Sequence, residues 1–136
     1  ILNTDNEVAE CTVSNIFMVQ NGNVITPSLE TNILPGITRK TVLNICKDKK
    51  YPVKEERFKA EVLLQADEIF LTNSLMEIMP VASIDDNVTG KCVPGEITSE
   101  LTNAYNELTY PAELFQNCYP SERIHPGGQR RPCPVE

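Results

Sequence analysis

The sequence is short of the residue types that several common functions need. It has one histidine, His125, and five cysteines at positions 11, 46, 92, 118 and 133, with no Cys-x-x-Cys pair. Neither a zinc site nor a disulfide framework is expected, and the thiols are read as reduced, with Cys11 and Cys46 as small buried apolar residues. No histidine stands in a recognisable pattern that would activate a cysteine nucleophile. Lys and Arg number 12 against 19 Asp and Glu, giving a formal charge of -7 and a pI near 4.7. That balance argues against a surface that tracks a nucleic-acid backbone, which needs a local excess of cations. No apolar run approaches the roughly 20 residues that span a bilayer. The start, Ile1-Leu2-Asn3-Thr4-Asp5, lacks the charged and then apolar pattern of a secretion signal. A soluble cytoplasmic protein with no nucleic-acid, membrane or metal partner is expected. No internal repeat is visible, which excludes solenoids.

What the chain does have is enough apolar material for one core: 136 residues, 40% hydrophobic and 23% charged. Val13 to Val19 is rich in β-branched and aromatic residues, and Asn21-Gly22 ahead of Val24-Ile25-Thr26 signals a hairpin, because Asn-Gly accepts the positive φ of such turns. Pro27 ends the second strand, and a loop is expected from Ser28 to Pro35. From Ile37 to Lys49 the residues Val42, Leu43, Ile45 and Cys46 share one helical face, with Arg39, Lys40 and Lys47 to Lys50 on the solvent side. A short strand from Val53 to Phe58, a short helix from Ala60 to Ala66, and strands over Glu68 to Thr72 and Glu77 to Ile84 follow. After turn chemistry at Asp85 to Gly90, Ile97 to Leu108 has helical spacing, with Thr98 or Glu96 serving its N-terminus.

Three stretches carry candidate chemistry. In Leu34-Pro35-Gly36-Ile37-Thr38-Arg39, Gly36 permits close approach of the backbone, and the N–H groups of Ile37 and Thr38 open a helix as a phosphate-binding end, with the Thr38 hydroxyl beside them. The same residues also suit an ordinary capped helix. Glu10 precedes an apolar strand, where an inward carboxylate needs a cation or donor; a protonated pyridine nitrogen is one such partner. A plain surface glutamate fits equally. Around Asn73-Ser74-Leu75, Ser74 offers a hydroxyl and adjacent amides to an anion, or simply makes a polar connection between strands.

Taken together and in order, Glu10-x-Thr12-x-Ser14-Asn15-Ile16-Phe17, Thr26-Pro27, Leu34-Pro35-Gly36-Ile37-Thr38-Arg39 and Phe70-x-Thr72-Asn73-Ser74-x-x-Glu77-Ile78-x-Pro80-Val81 resemble the C-terminal part of the class IV aminotransferases, pyridoxal-phosphate enzymes of fold type IV. The resemblance extends to about Leu108. It implies an α/β fold, a mixed, barrel-like sheet with outer helices, and pyridoxal 5'-phosphate as cofactor. By that resemblance Glu10 faces the pyridine nitrogen, Leu34 packs near the ring, Ile37 and Thr38 hold the phosphate, and Ser74 reaches it too. The amides of Ser74 and Leu75 lie near the substrate carboxylate, while Asn15 and Arg39 take structural roles. Asn73-Ser74-Leu75 looks more like bacterial aminodeoxychorismate lyase than like the Gly-Thr-Ala of branched-chain enzymes. The reaction implied is formation of 4-aminobenzoate and pyruvate, with a branched-chain or D-amino-acid aminotransferase as the alternative and a non-catalytic phosphate-binding or interaction module as a third reading.

The family's chemistry also needs a lysine bonded to the cofactor, which lies upstream of the glutamate in the family pattern. Lys40, Lys47, Lys49, Lys50, Lys54, Lys59 and Lys91 match no such position and read as solvated charges. The expectation is therefore a C-terminal cofactor-binding domain at 1–108, separated from its N-terminal domain and inactive alone, from a parent enzyme that is a homodimer. Residues 109–136, rich in proline and arginine, match nothing in the family and are expected to be a disordered tail with a solvated His125.

Overall fold

The structure is a computed structural model and describes residues 1–90 and 92–110. The expectations about Lys91, Cys118, His125, Cys133 and the tail beyond Tyr110 fall outside those residues. Strand β1 (Asn15–Gln20) and strand β2 (Asn23–Pro27) form the hairpin that Asn-Gly predicts: Asn21 has φ 50 and Gly22 φ 74, and Gln20 pairs with Asn23 across a two-residue loop. Helix α1 (Ile37–Asp48) then carries the chain over the sheet to β3 (Val53–Glu56), which pairs parallel to β2. Helix α2 (Ala60–Leu63) leads into β4 (Glu68–Asn73), antiparallel to β1, and β5 (Glu77–Pro80) pairs with β4. The result is a five-stranded mixed sheet in the order β3-β2-β1-β4-β5. A small hairpin, β6 (Ser83–Ile84) with β7 (Asn87–Val88), and helix α3 (Glu96–Thr109) complete the described chain. No helix among the described residues is long and apolar enough to cross a membrane.

Both faces of the sheet are covered, which is why β1 is buried almost throughout instead of alternating. One face presents Phe17, Val19, Val24 and Phe70 to Val42, Ile45 and Cys46 of α1 and to Leu101 and Tyr105 of α3. Phe17 and Phe70 pair directly across β1 and β4 and stack with centroids 4.9 Å apart. The opposite face places Ile16, Met18, Ile25 and Ile69 against Val8, Phe58, Leu63 and Ala66. Burial pushes the Cys46 thiol up to about 12, so it stays protonated as a packing group.

Several expectations need correction. Arg39 is not on the solvent side: it is only 4% exposed, because its guanidinium donates to the Pro27 carbonyl at 2.9 Å and to Glu55 at 2.7 Å, and two partners offset the cost of burying the charge. Cys11 is half-exposed and not a core residue. Cys92 is disulfide-bonded, although reduced thiols were expected; pairing depends on which thiols meet in space, and spacing along the chain does not report that. The strand expected over Glu77 to Ile84 breaks after Pro80, and the strand from Val53 stops at Glu56. Glu96 does stand in the first turn of α3, where its charge favours the helix N-terminus, but neither it nor Thr98 caps the turn with its side chain. Glu68 of β4 accepts from the N–H groups of Ile97 at 3.0 Å and Thr98 at 2.7 Å.

Candidate cofactor-binding cleft

Topology gathers the three candidate stretches at one end of the sheet. Strand β1 begins there at Asn15, its pairing partner Thr72 stands near the end of β4, and β2 ends at Pro27 before the loop that leads to α1. A cleft of about 200 Å³ opens at this end, lined by residues of 10–15, by Leu34, Gly36, Ile37 and Thr38, and by Thr72, Asn73 and Ser74. Glu10, Leu34, Ile37, Thr38 and Ser74 are thus brought together, although up to 64 positions separate them in sequence (74 − 10). Leu75 is next to the cleft but does not line it, and its side chain is 93% exposed.

The wall bearing Glu10 is a small hydrogen-bonded lattice. Glu10 Oε2 accepts from Asn15 Nδ2 and from the Leu34 N–H, both at 3.1 Å, and the same Asn15 Nδ2 donates to the Leu34 carbonyl at 2.9 Å. The Gly36 N–H also donates to the Leu34 carbonyl, at 2.8 Å, closing a tight three-residue turn around Pro35. Gly36 is required by proximity and not by φ, which is -56: a Cβ there would lie 2.2 Å from Asn15 Oδ1. Glu10 Oε1 receives no hydrogen bond among the described residues.

The facing wall is the start of α1. No side chain caps this helix, and the first intrahelical bond runs from the Lys40 N–H to the Gly36 carbonyl, so the first-turn N–H groups of Ile37 and Thr38 have no helical partner. Arg39, anchored to β2 and β3, fixes where that turn points. Thr38 is buried beside the cleft, while the Ile37 side chain is 81% exposed.

The third wall is the β4–β5 connection. Asn73 Oδ1 accepts from the N–H groups of Leu75 and Met76 at 2.9 and 2.6 Å, and Asn73 Nδ2 donates to the Val13 carbonyl at 3.2 Å, tying this loop to the Glu10 segment. The Leu75 amide is consequently engaged within the loop. Thr72 was singled out by no chemical reading of the sequence, yet its hydroxyl is buried at the cleft with no partner in the described structure. Its signals were its place in the Phe70-x-Thr72-Asn73-Ser74 motif and a polar side chain on the inward face of an otherwise apolar strand.

A cleft with an acceptor carboxylate on one wall, uncapped helical N–H groups on another and an orphaned hydroxyl between suits a bipolar ligand: a donor or cation at one end and an oxyanion at the other. Among the described residues no lysine lines it.

The profile of the amino-transferase class IV family matches residues 1–84, and the chain belongs to that family. A probable branched-chain-amino-acid aminotransferase of Thermotoga maritima is 37% identical over 113 residues, covering 83% of this chain and 41% of that protein. The aminodeoxychorismate lyase of Bacillus subtilis is 40% identical over 106 residues, covering 78% of this chain and 36% of the lyase. The crystal structure of a branched-chain amino acid aminotransferase from Thermobaculum terrenum in its PLP form superposes with a TM-score of 0.79 at 38% identity, over 81% of this chain and 36% of that one. The chain therefore spans less than half the length of these relatives. The α/β class with a mixed sheet and packed helices agrees with the expectation from sequence.

Proposed function

We propose that this chain is the cofactor-binding C-terminal part, at 1–108, of a pyridoxal-phosphate enzyme. The observation that carries the reading is the bipolar cleft: the free Glu10 Oε1 at one wall and the uncapped first turn of α1 at the other. Pyridoxal phosphate matches it in chemistry, with a ring nitrogen that donates when protonated and a phosphate that accepts. Once bound, this cofactor supplies an electron sink for the amino-bearing carbon of a substrate.

In this reading the chain's own residues bind, orient and tune. Glu10 holds a proton on the ring nitrogen by pairing with it. The N–H groups of Ile37 and Thr38, the Thr38 hydroxyl and the Ser74 hydroxyl hold the phosphate, and Leu34 packs beside the ring. Thr72 adds a buried donor on the same side. The Ser74 amide orients the substrate carboxylate, with the Leu75 amide beside it; since Asn73 already holds the Leu75 amide, Ser74 carries the larger share. Proton transfer at the substrate falls to a lysine that an upstream domain would supply, so the isolated chain binds without turnover. The whole enzyme would be a homodimer.

For the reaction, we favour release of 4-aminobenzoate and pyruvate from aminodeoxychorismate, because the Asn73-Ser74-Leu75 loop resembles that of the lyases. Transamination of a branched-chain or D-amino acid is the second reading, favoured by the Thermotoga relative, whose 37% identity is close to the 40% of the lyase. The test is to join this chain to its upstream coding sequence and assay the whole enzyme for 4-aminobenzoate from aminodeoxychorismate and for glutamate from 2-oxoglutarate with an amino-acid donor. The lyase reading predicts the first product alone; glutamate without 4-aminobenzoate overturns it.

A further inference from the structure

The geometry points to Asn15 as the positioning residue that aims the Glu10 carboxylate, an inference that rests on the reading of Glu10 as the partner of a ring nitrogen. A glutamate side chain ahead of a strand has three rotatable bonds, and a carboxylate free to rotate would present either oxygen to the cleft. Here Asn15 Nδ2 holds Oε2 at 3.1 Å and the Leu34 carbonyl at 2.9 Å with its two hydrogens, while the Leu34 N–H takes the same Oε2. Both donors converge on one oxygen and leave the other open. Asn15 is itself held: it is buried, it starts β1 in register with Thr72, and the close approach of Gly36 confines its Oδ1 side. One amide therefore fixes the carboxylate and also sets its distance from the loop that opens α1, the other wall of the cleft. Asn15 need not touch the cofactor for this; it acts through Glu10.

The inference is tested on the 136-residue chain with two variants, Asn15→Ala and the equally sized Asn15→Asp, which places an acceptor where the donor was. Without any cofactor, hydrogen exchange at the Leu34 amide is expected to quicken by about fivefold or more in both, while the amides of Phe17 and Val42 keep their wild-type rates. Titration with pyridoxal phosphate is expected to show about tenfold weaker binding for Asn15→Ala, and no further weakening when the same change is made in a Glu10→Gln background. A merely structural role predicts acceleration at all three amides and equal weakening in both backgrounds; either result, or an unchanged Leu34 amide, overturns the inference. If the wild-type chain takes up no pyridoxal phosphate, the proposed function fails, and the exchange comparison still decides the case of Asn15.

Discussion

At the scale of single residues, the chemistry of this chain is set by which polar atoms are spoken for and which are left open. Glu10 has one occupied oxygen and one open, Thr72 has a buried hydroxyl without a partner, and Arg39 bonds twice through Nη2 while its buried Nε has no partner among the described residues. Sequence reading found Glu10 and Thr38 because their types fit a recognisable chemistry, and it placed Arg39 in solvent because helical periodicity alone cannot see the Glu55 carboxylate, which arrives from β3. A residue-level pH effect follows at Tyr51. Its hydroxyl donates to Glu100 at 2.7 Å, and that hydrogen bond, with burial and the charges of Glu100 and Glu96, raises its pKa from 10.0 to about 12. A folded-state value above the unfolded one means that the stabilisation is held in full below pH 10 and lost as pH rises through about 12. Chemical denaturation between pH 9 and 12 is expected to show a shallower loss of stability in Tyr51→Phe than in wild type; identical slopes would show that the bond contributes nothing.

At the scale of elements, local signals and long-range ones divide cleanly. The β1–β2 hairpin was legible because everything that specifies it lies within Asn21-Gly22 and the flanking β-branched residues. The α1 face was legible from the spacing of Val42, Ile45 and Cys46. The N-terminus of α3 was not, since its cap comes from Glu68, 29 residues before Ile97. Gly95 is shaped to the same contact, for a Cβ there would sit 2.1 Å from the Glu68 carboxyl carbon. Replacing Glu68 by alanine removes two charge-assisted bonds to the first turn and is expected to cost about 1–2 kcal/mol, read as a lowered melting midpoint. Thr98→Ala, which keeps the backbone donor, should cost far less; equal losses would mean that Glu68 is not the cap.

At the scale of the whole molecule, the fold matters because it brings distant segments to one end of the sheet. Antiparallel pairing of β1 with both β2 and β4 puts the start of β1 beside the ends of its two neighbours, and the cleft forms where those ends meet the first turn of α1. The fold class, and the meeting of Glu10, Leu34, Ile37, Thr38 and Ser74 in one cleft, followed from the ordered motifs of the class IV family, whereas Leu75 stands outside that cleft. The lattice joining Glu10, Asn15 and Leu34, the orphaned Thr72 hydroxyl and the internal engagement of the Leu75 amide did not, because each depends on atoms from segments far apart in the chain. The central claim is that this cleft holds pyridoxal phosphate between Glu10 and the start of α1. It is tested most directly by following backbone amide resonances of the chain during titration with pyridoxal phosphate, with inorganic phosphate as competitor. The account predicts saturable shifts at Ile37, Thr38 and Ser74 that phosphate reproduces, together with a shift at Leu34 that only the cofactor causes and that Glu10→Gln abolishes. Shifts confined to the opposite face of the sheet, around Leu63 and Ile69, or no shifts at all, would contradict it.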